Sequence, residues 1–176
     1  PKADTADAVS APVPKKEAPI VAAGTVSRQL SAEQRADDAY HDAVTLARQG
    51  RMGEAQQLLR QALADHPAHH DARLLYARLL MDGGKLADAK SVLTDGLNLK
   101  SPVFQLYSTL AHVQLIGKEP DAAVATLERG LPLAGENAEY QAMLAAALQQ
   151  QGRHAEAVQH YVVALRQFPD TANWLV

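Results

Sequence analysis

Apolar positions along this chain recur every 34 residues. Ala43, Ala77, Ala111 and Ala145 share one phase of that period, and Ala55, Ala89, Ala123 and Ala157 share a second, twelve residues later. Leu59, Leu93, Leu127 and Tyr161 form a third phase, Ala62, Gly96, Gly130 and Ala164 a fourth, and Leu63, Leu97, Leu131 and Leu165 a fifth. Self-similarity at such a period marks a supersecondary unit that is stacked repeatedly, because one unit cannot bury its apolar face alone. Between the first two phases Gly50, Gly84, Gly117 and Gly152 mark a turn, with Gly117 one residue early. Glycine there is a helix-ending signal. The copies close near Pro67, Pro102 and Pro169, the third showing Gly135 instead, and proline marks where a following helix restarts.

Each copy therefore reads as helix, glycine turn, helix, proline turn. The predicted fold is all-α, a right-handed α-solenoid of stacked antiparallel helix pairs. It has four repeats, at about 36–69, 70–103, 104–137 and 138–171, plus the start of a fifth from 172 at Asn173-Trp174-Leu175-Val176. Pairs such as Ala43 and Ala55 are expected where the two helices of a copy cross, since alanine permits close backbone approach, while Leu59 and Leu63 and their equivalents fill the space between copies. The end copies are the ones expected to fray.

Residues 1–30 break the pattern. They hold Pro1, Pro12, Pro14 and Pro19 and a Lys15-Lys16-Glu17 cluster with no apolar period, which predicts a linker that cannot build a core. It ends at Ser31-Ala32-Glu33-Gln34, whose Ser-x-x-Gln form is a capping box that starts the first helix of a domain over 31–176. The opening at Pro1 and not Met predicts that the piece is taken from something longer.

Composition narrows the chemistry. A net charge of -3 and a pI near 6.2 offer no basic field for a phosphate backbone, so nucleic acid is not an expected partner, nor is direct membrane binding by this segment. No apolar run approaches the roughly 20 residues of a spanning helix, and the first residues lack the order of a signal peptide. The absence of cysteine removes disulfides, thiolate catalysis and cysteine-based metal sites, while fitting either cytosol or periplasm. No cofactor is expected.

The second half of the fourth copy, Gly152-Arg153-His154-Ala155-Glu156-Ala157 with His160-Tyr161, Ala164-Leu165 and Phe168-Pro169, is similar to the tetratricopeptide repeat, and Gly50-Arg51-Met52-Gly53-Glu54-Ala55 is similar again. The first helices depart from that family, with Leu46, Leu80, Gln114 and Leu148 where Tyr is usual. The resemblance implies a non-catalytic protein-interaction scaffold whose first helices line a concave groove. Carried over, the groove residues are Asp37, Tyr40, Val44 and Ala47, then Asp71, Leu74, Arg78 and Met81, then Gln105, Ser108, His112 and Leu115, then Glu139, Ala142, Ala146 and Gln149. Tyr40, Leu74, Met81 and Leu115 offer apolar contacts, and Arg78 a fork for carboxylates or carbonyls. Family members that clamp a C-terminal carboxylate use Lys and Asn where this chain has Tyr40 and Val44, so that activity is not implied.

A narrower resemblance concerns biology. Ser31-Ala32-Glu33-Gln34-Arg35-Ala36, Leu127-Glu128-Arg129-Gly130-Leu131-Pro132 and Tyr140-Gln141-Ala142-Met143-Leu144-Ala145-Ala146 resemble the MshN family of MSHA pilus biogenesis proteins. It implies a membrane helix, a Pro/Ala-rich linker and a periplasmic repeat domain for type IV pilus assembly, with pilus components as partners. The alternatives are a cytoplasmic adaptor with unrelated protein partners, and a metal sensor using His66, His69 and His70. Ser108 and His112 share a helical face but lack an acid to orient the His, so no catalytic residue is assigned. Oligomeric state is open.

Overall fold

A computed structural model describes residues 30–167. Within it are eight helices: α1 (Ala32–Arg48), α2 (Met52–Asp65), α3 (His70–Asp82), α4 (Leu86–Leu97), α5 (Phe104–Ile116), α6 (Pro120–Ala134), α7 (Ala138–Gln150) and α8 (His154–Gln167). No strand occurs among the described residues. Each odd-numbered helix pairs with the one that follows, successive pairs stack, and α3 also touches α5 as α5 touches α7. The result is the predicted α-solenoid, with the first helices of successive pairs aligned along one side. The expected linker before Leu30 and the expected fifth repeat at Trp174 lie outside the described residues.

The start signals work as the sequence predicts. Ser31 Oγ accepts from the Gln34 amide at 3.1 Å and Gln34 Oε1 accepts from the Ser31 amide at 3.0 Å, so two orphan donors of α1 are satisfied reciprocally. Asn137 caps α7 through the Tyr140 amide, and His69 Nδ1 caps α3 through the Ala72 amide.

The turns within each pair share one construction. The amides of Arg51, Lys85, Glu119 and Arg153 reach back to the carbonyls of Leu46, Leu80, Gln114 and Leu148 at 2.8–2.9 Å, closing each first helix with a left-handed residue. That residue is Gly50, Gly84 or Gly152 at φ +73 to +77° in three copies. In the third it is Lys118 at φ 59°, whereas Gly117 is helical at φ −72°. The sequence places the glycine one residue early; the fold holds the period and imposes the left-handed conformation on a lysine.

All four alanine pairs at the helix crossings are buried, from Ala43 and Ala55 to Ala145 and Ala157. The fourth phase holds small residues for a related reason. A Cβ on Gly96 would run into the Arg73 side chain, and one on Gly130 into Tyr107 and the Tyr140 hydroxyl. Where the equivalent first-helix positions are Ala39 and Ala72, both buried, alanine fits at Ala62. The size of the small residue thus tracks the size of the side chains pressing on it.

The two ends differ. On α3, Ala72, Leu75, Tyr76 and Leu79 pack against the first pair, while their α1 equivalents, Asp38, His41, Asp42 and Thr45, are polar and exposed. At the other end Val158 of α8 is 54% exposed, although its equivalent on α6, Val124, is buried beneath the next pair.

Candidate functional site

The aligned first helices leave a concave groove across α1, α3 and α5. It has a volume of about 510 Å³ and is lined by Tyr40 of α1, by Asp71, Leu74, Leu75, Arg78, Met81 and Asp82 of α3, and by Gln105, Ser108, Thr109 and His112 of α5. Spacings of three and four residues on α3 (71, 74, 75, 78, 81, 82) put one continuous stripe of that helix on the groove floor. A second recess of about 410 Å³ adjoins it, sharing Asp71, Leu74 and Gln105 and adding Asp37, Val103 and the turn residues His66, Ala68, His69 and His70.

Of the residues expected in the groove, Tyr40, Asp71, Leu74, Arg78, Met81, Gln105, Ser108 and His112 converge there, and Asp37 lines the adjoining recess. Val44, Ala47, Leu115 and Ala146 are half-buried and line neither space, and Glu139 and Gln149 are exposed outside both. Gln149 instead accepts a hydrogen bond from the Tyr161 hydroxyl of α8 at 3.1 Å. Ala142 departs from the expectation. It is buried with Ala138 and Ala164 between α7 and α8, because its side chain is small and α8 packs over it. Leu75, Thr109 and Asp82 line the groove without having been expected; they sit one residue after Leu74, Ser108 and Met81, so the helical spacing could have found them.

His69 joins α1 to α3. Its side chain is only 10% exposed, its Nδ1 is occupied by the Ala72 amide, and its Nε2 lies 3.2 Å from Asp37 Oδ1 but off the line of a hydrogen bond. The Tyr40 ring leans on the same imidazole with centroids 5.2 Å apart. With Nδ1 accepting, neutral His69 carries its proton on Nε2, toward Asp37. His66 and His70 each have a buried Nδ1 without a partner. Among the described residues no group of three His, Cys, Asp or Glu side chains is arranged to hold a metal ion.

Ser108 and His112 share the groove but form no dyad. The Ser108 hydroxyl donates to the Gln105 carbonyl at 3.1 Å, its own preceding turn, and not to the imidazole. Arg78 makes no ion pair among the described residues. The lining combines an apolar floor from Tyr40, Leu74, Leu75 and Met81 with a border that carries Asp71, Arg78 and Asp82.

Two sequence models of the family described as Tetratricopeptide repeat match this chain, one over residues 46–101 and one over 110–172. The chain is a tetratricopeptide repeat protein. Solved structures agree on the fold. The crystal structure of MamA superposes with a TM-score of 0.69 at 19% identity, covering 80% of this chain and 76% of that one. YrrB, described as a TPR protein with an unusual peptide-binding site, superposes with a TM-score of 0.66 at 19% identity over 79% of this chain and 72% of its own. MamA from Desulfovibrio magneticus RS-1 gives 0.64 at 16% identity, with coverage of 78% and 77%. No curated protein matches the chain by sequence.

Proposed function

We propose that this tetratricopeptide repeat protein is a non-catalytic scaffold that captures a protein or peptide partner on its concave face. We further propose that it does so as the periplasmic domain of an inner-membrane-anchored protein serving assembly of an MSHA-like type IV pilus. The observation that carries the scaffold role is the groove across α1, α3 and α5, where Tyr40, Leu74 and Met81 form an apolar floor beside Arg78, which makes no ion pair among the described residues. Exposed apolar surface rimmed by polar residues is what interaction sites look like. The fold shared with YrrB, a protein with a peptide-binding site, supports the same reading. The pilus role rests on the resemblance of Ser31–Ala36, Leu127–Pro132 and Tyr140–Ala146 to the MshN family.

The test is capture of purified MSHA pilus assembly proteins by immobilised chain. Replacing Tyr40, Arg78 and Met81 together by Ala should weaken capture by at least about thirtyfold, the scale of hot-spot losses, with the helical circular dichroism of the folded chain retained at the temperature of the assay. Capture that survives the triple substitution contradicts the groove. For location, protease added to cells of the native host should reach the domain once the outer membrane is permeabilised; protection until the inner membrane is broken contradicts a periplasmic place.

A further inference from the structure

The groove carries a charge imbalance. Asp37, Asp71 and Asp82 line the groove and its adjoining recess, and Arg78 is the only lysine or arginine lining either. Asp71 and Asp82 form no ion pair among the described residues. Arg78 and Asp82 lie four residues apart on α3, so the guanidinium is itself partly offset. Beside these carboxylates His69 is nine-tenths buried, and its Nε2 has no hydrogen-bond partner. The residue lines the recess, with that nitrogen shielded from solvent 3.2 Å from Asp37 Oδ1.

From this we infer that the groove takes a segment of a partner protein in which lysine or arginine side chains flank an apolar one. The inference rests on the concave-face reading above and adds the chemistry of what binds there. The apolar side chain lies over Tyr40, Leu74 and Met81. Its basic neighbours meet Asp71 and Asp82. Carboxylates along a concave wall with an apolar floor concentrate negative potential where a cation enters, favouring its approach and rejecting acidic sequences. An acidic segment would gain Arg78 alone and meet Asp37, Asp71 and Asp82.

The experiment uses the full chain and two fluorescein-labelled peptides of equal length, each with the same leucines, one carrying lysines and the other glutamates at the charged positions. Fluorescence anisotropy should show the lysine peptide binding at least about tenfold more tightly than the glutamate peptide. Asp71→Asn with Asp82→Asn should erase about tenfold of that affinity, in line with two partly exposed ion pairs, and flatten its salt dependence. Neutralising Asp38 and Asp88, which are exposed but line neither space, should change nothing. The inference is overturned if both peptides bind alike, or if Asp38→Asn with Asp88→Asn weakens binding as much. A glutamate preference that is lost on Tyr40→Ala with Met81→Ala would leave the groove standing and sink the cation preference; binding by neither peptide that depends on Tyr40 and Met81 would sink the groove reading as well. A rise in affinity on Lys15→Glu with Lys16→Glu would make the chain's own first segment the occupant, and a dimer dispersed by Tyr40→Ala would make it a second copy, and either overturns the inference.

Discussion

Single residues decide where this fold tolerates change. Replacing a helical glycine by alanine ordinarily stabilises by about 0.5–1 kcal/mol. Gly130 is the opposite case, because its missing Cβ is the space occupied by Tyr107 and the Tyr140 hydroxyl. That hydroxyl donates to the Leu127 carbonyl at 2.8 Å, and burial raises its pKa well above the usual tyrosine value. Gly130→Ala should therefore destabilise by about 2 kcal/mol, the scale of core overpacking, read as a lower urea midpoint; a gain in stability would contradict the packing described. Lys118 gives the reverse prediction. A non-glycine residue in the left-handed region costs roughly 1–2 kcal/mol, and an added Cβ at its equivalents Gly50, Gly84 and Gly152 would meet nothing but that strain. Lys118→Gly should raise stability by about 1 kcal/mol in the same measurement.

At the scale of helices, the 34-residue period made the helix pairs readable, and the second, third and fourth pairs open at His70, Phe104 and Ala138. It did so because repeated small residues must sit at repeated crossings. What it could not show is what varies between copies. Arg73 and Gln141 occupy one register position with Ala39 and Tyr107, and each ties down the carbonyl six residues before it, Arg73 that of Pro67 and Gln141 that of Gly135. Burial holds the Arg73 pKa below its ordinary value. A buried arginine and glutamine look like surface residues in a sequence, because nothing local announces their partners. Gln141 also meets His160 of α8, whose Nδ1 is 2.7 Å from its Oε1. Desolvation lowers the His160 pKa, against weaker opposing effects of Glu156 and Glu128. The folded state then binds this proton less readily than the unfolded one, so His160 contributes stability at neutral pH that declines as pH falls below about 6.5. His160→Gln should reduce the loss of melting temperature between pH 7 and pH 5, and an unchanged loss would contradict the role given to His160.

Over the whole molecule, the groove follows from stacking. Aligning α1, α3 and α5 brings together residues 34 apart, such as Asp37 and Asp71 or Leu74 and Ser108, which no local reading of one helix would join. The groove was legible for that reason at Tyr40, at Asp71, Leu74, Arg78 and Met81, and at Gln105, Ser108 and His112, but not at Val44, Ala47 and Leu115, which line neither space. It was not legible at Ala142, where α8 buries the position, nor at Asp82 and Leu75, which the family's spacing omits although helical geometry includes them. The three methionines divide the surface conveniently: Met81 lines the groove, Met52 is 43% exposed away from it, and Met143 packs on the core. Methyl NMR of methionine-labelled chain with its captured partner is therefore the most direct test of the central claim. The Met81 methyl signal should shift on binding while that of Met52 stays in place. A stationary Met81 beside a shifted Met52 would contradict the concave face as the working surface.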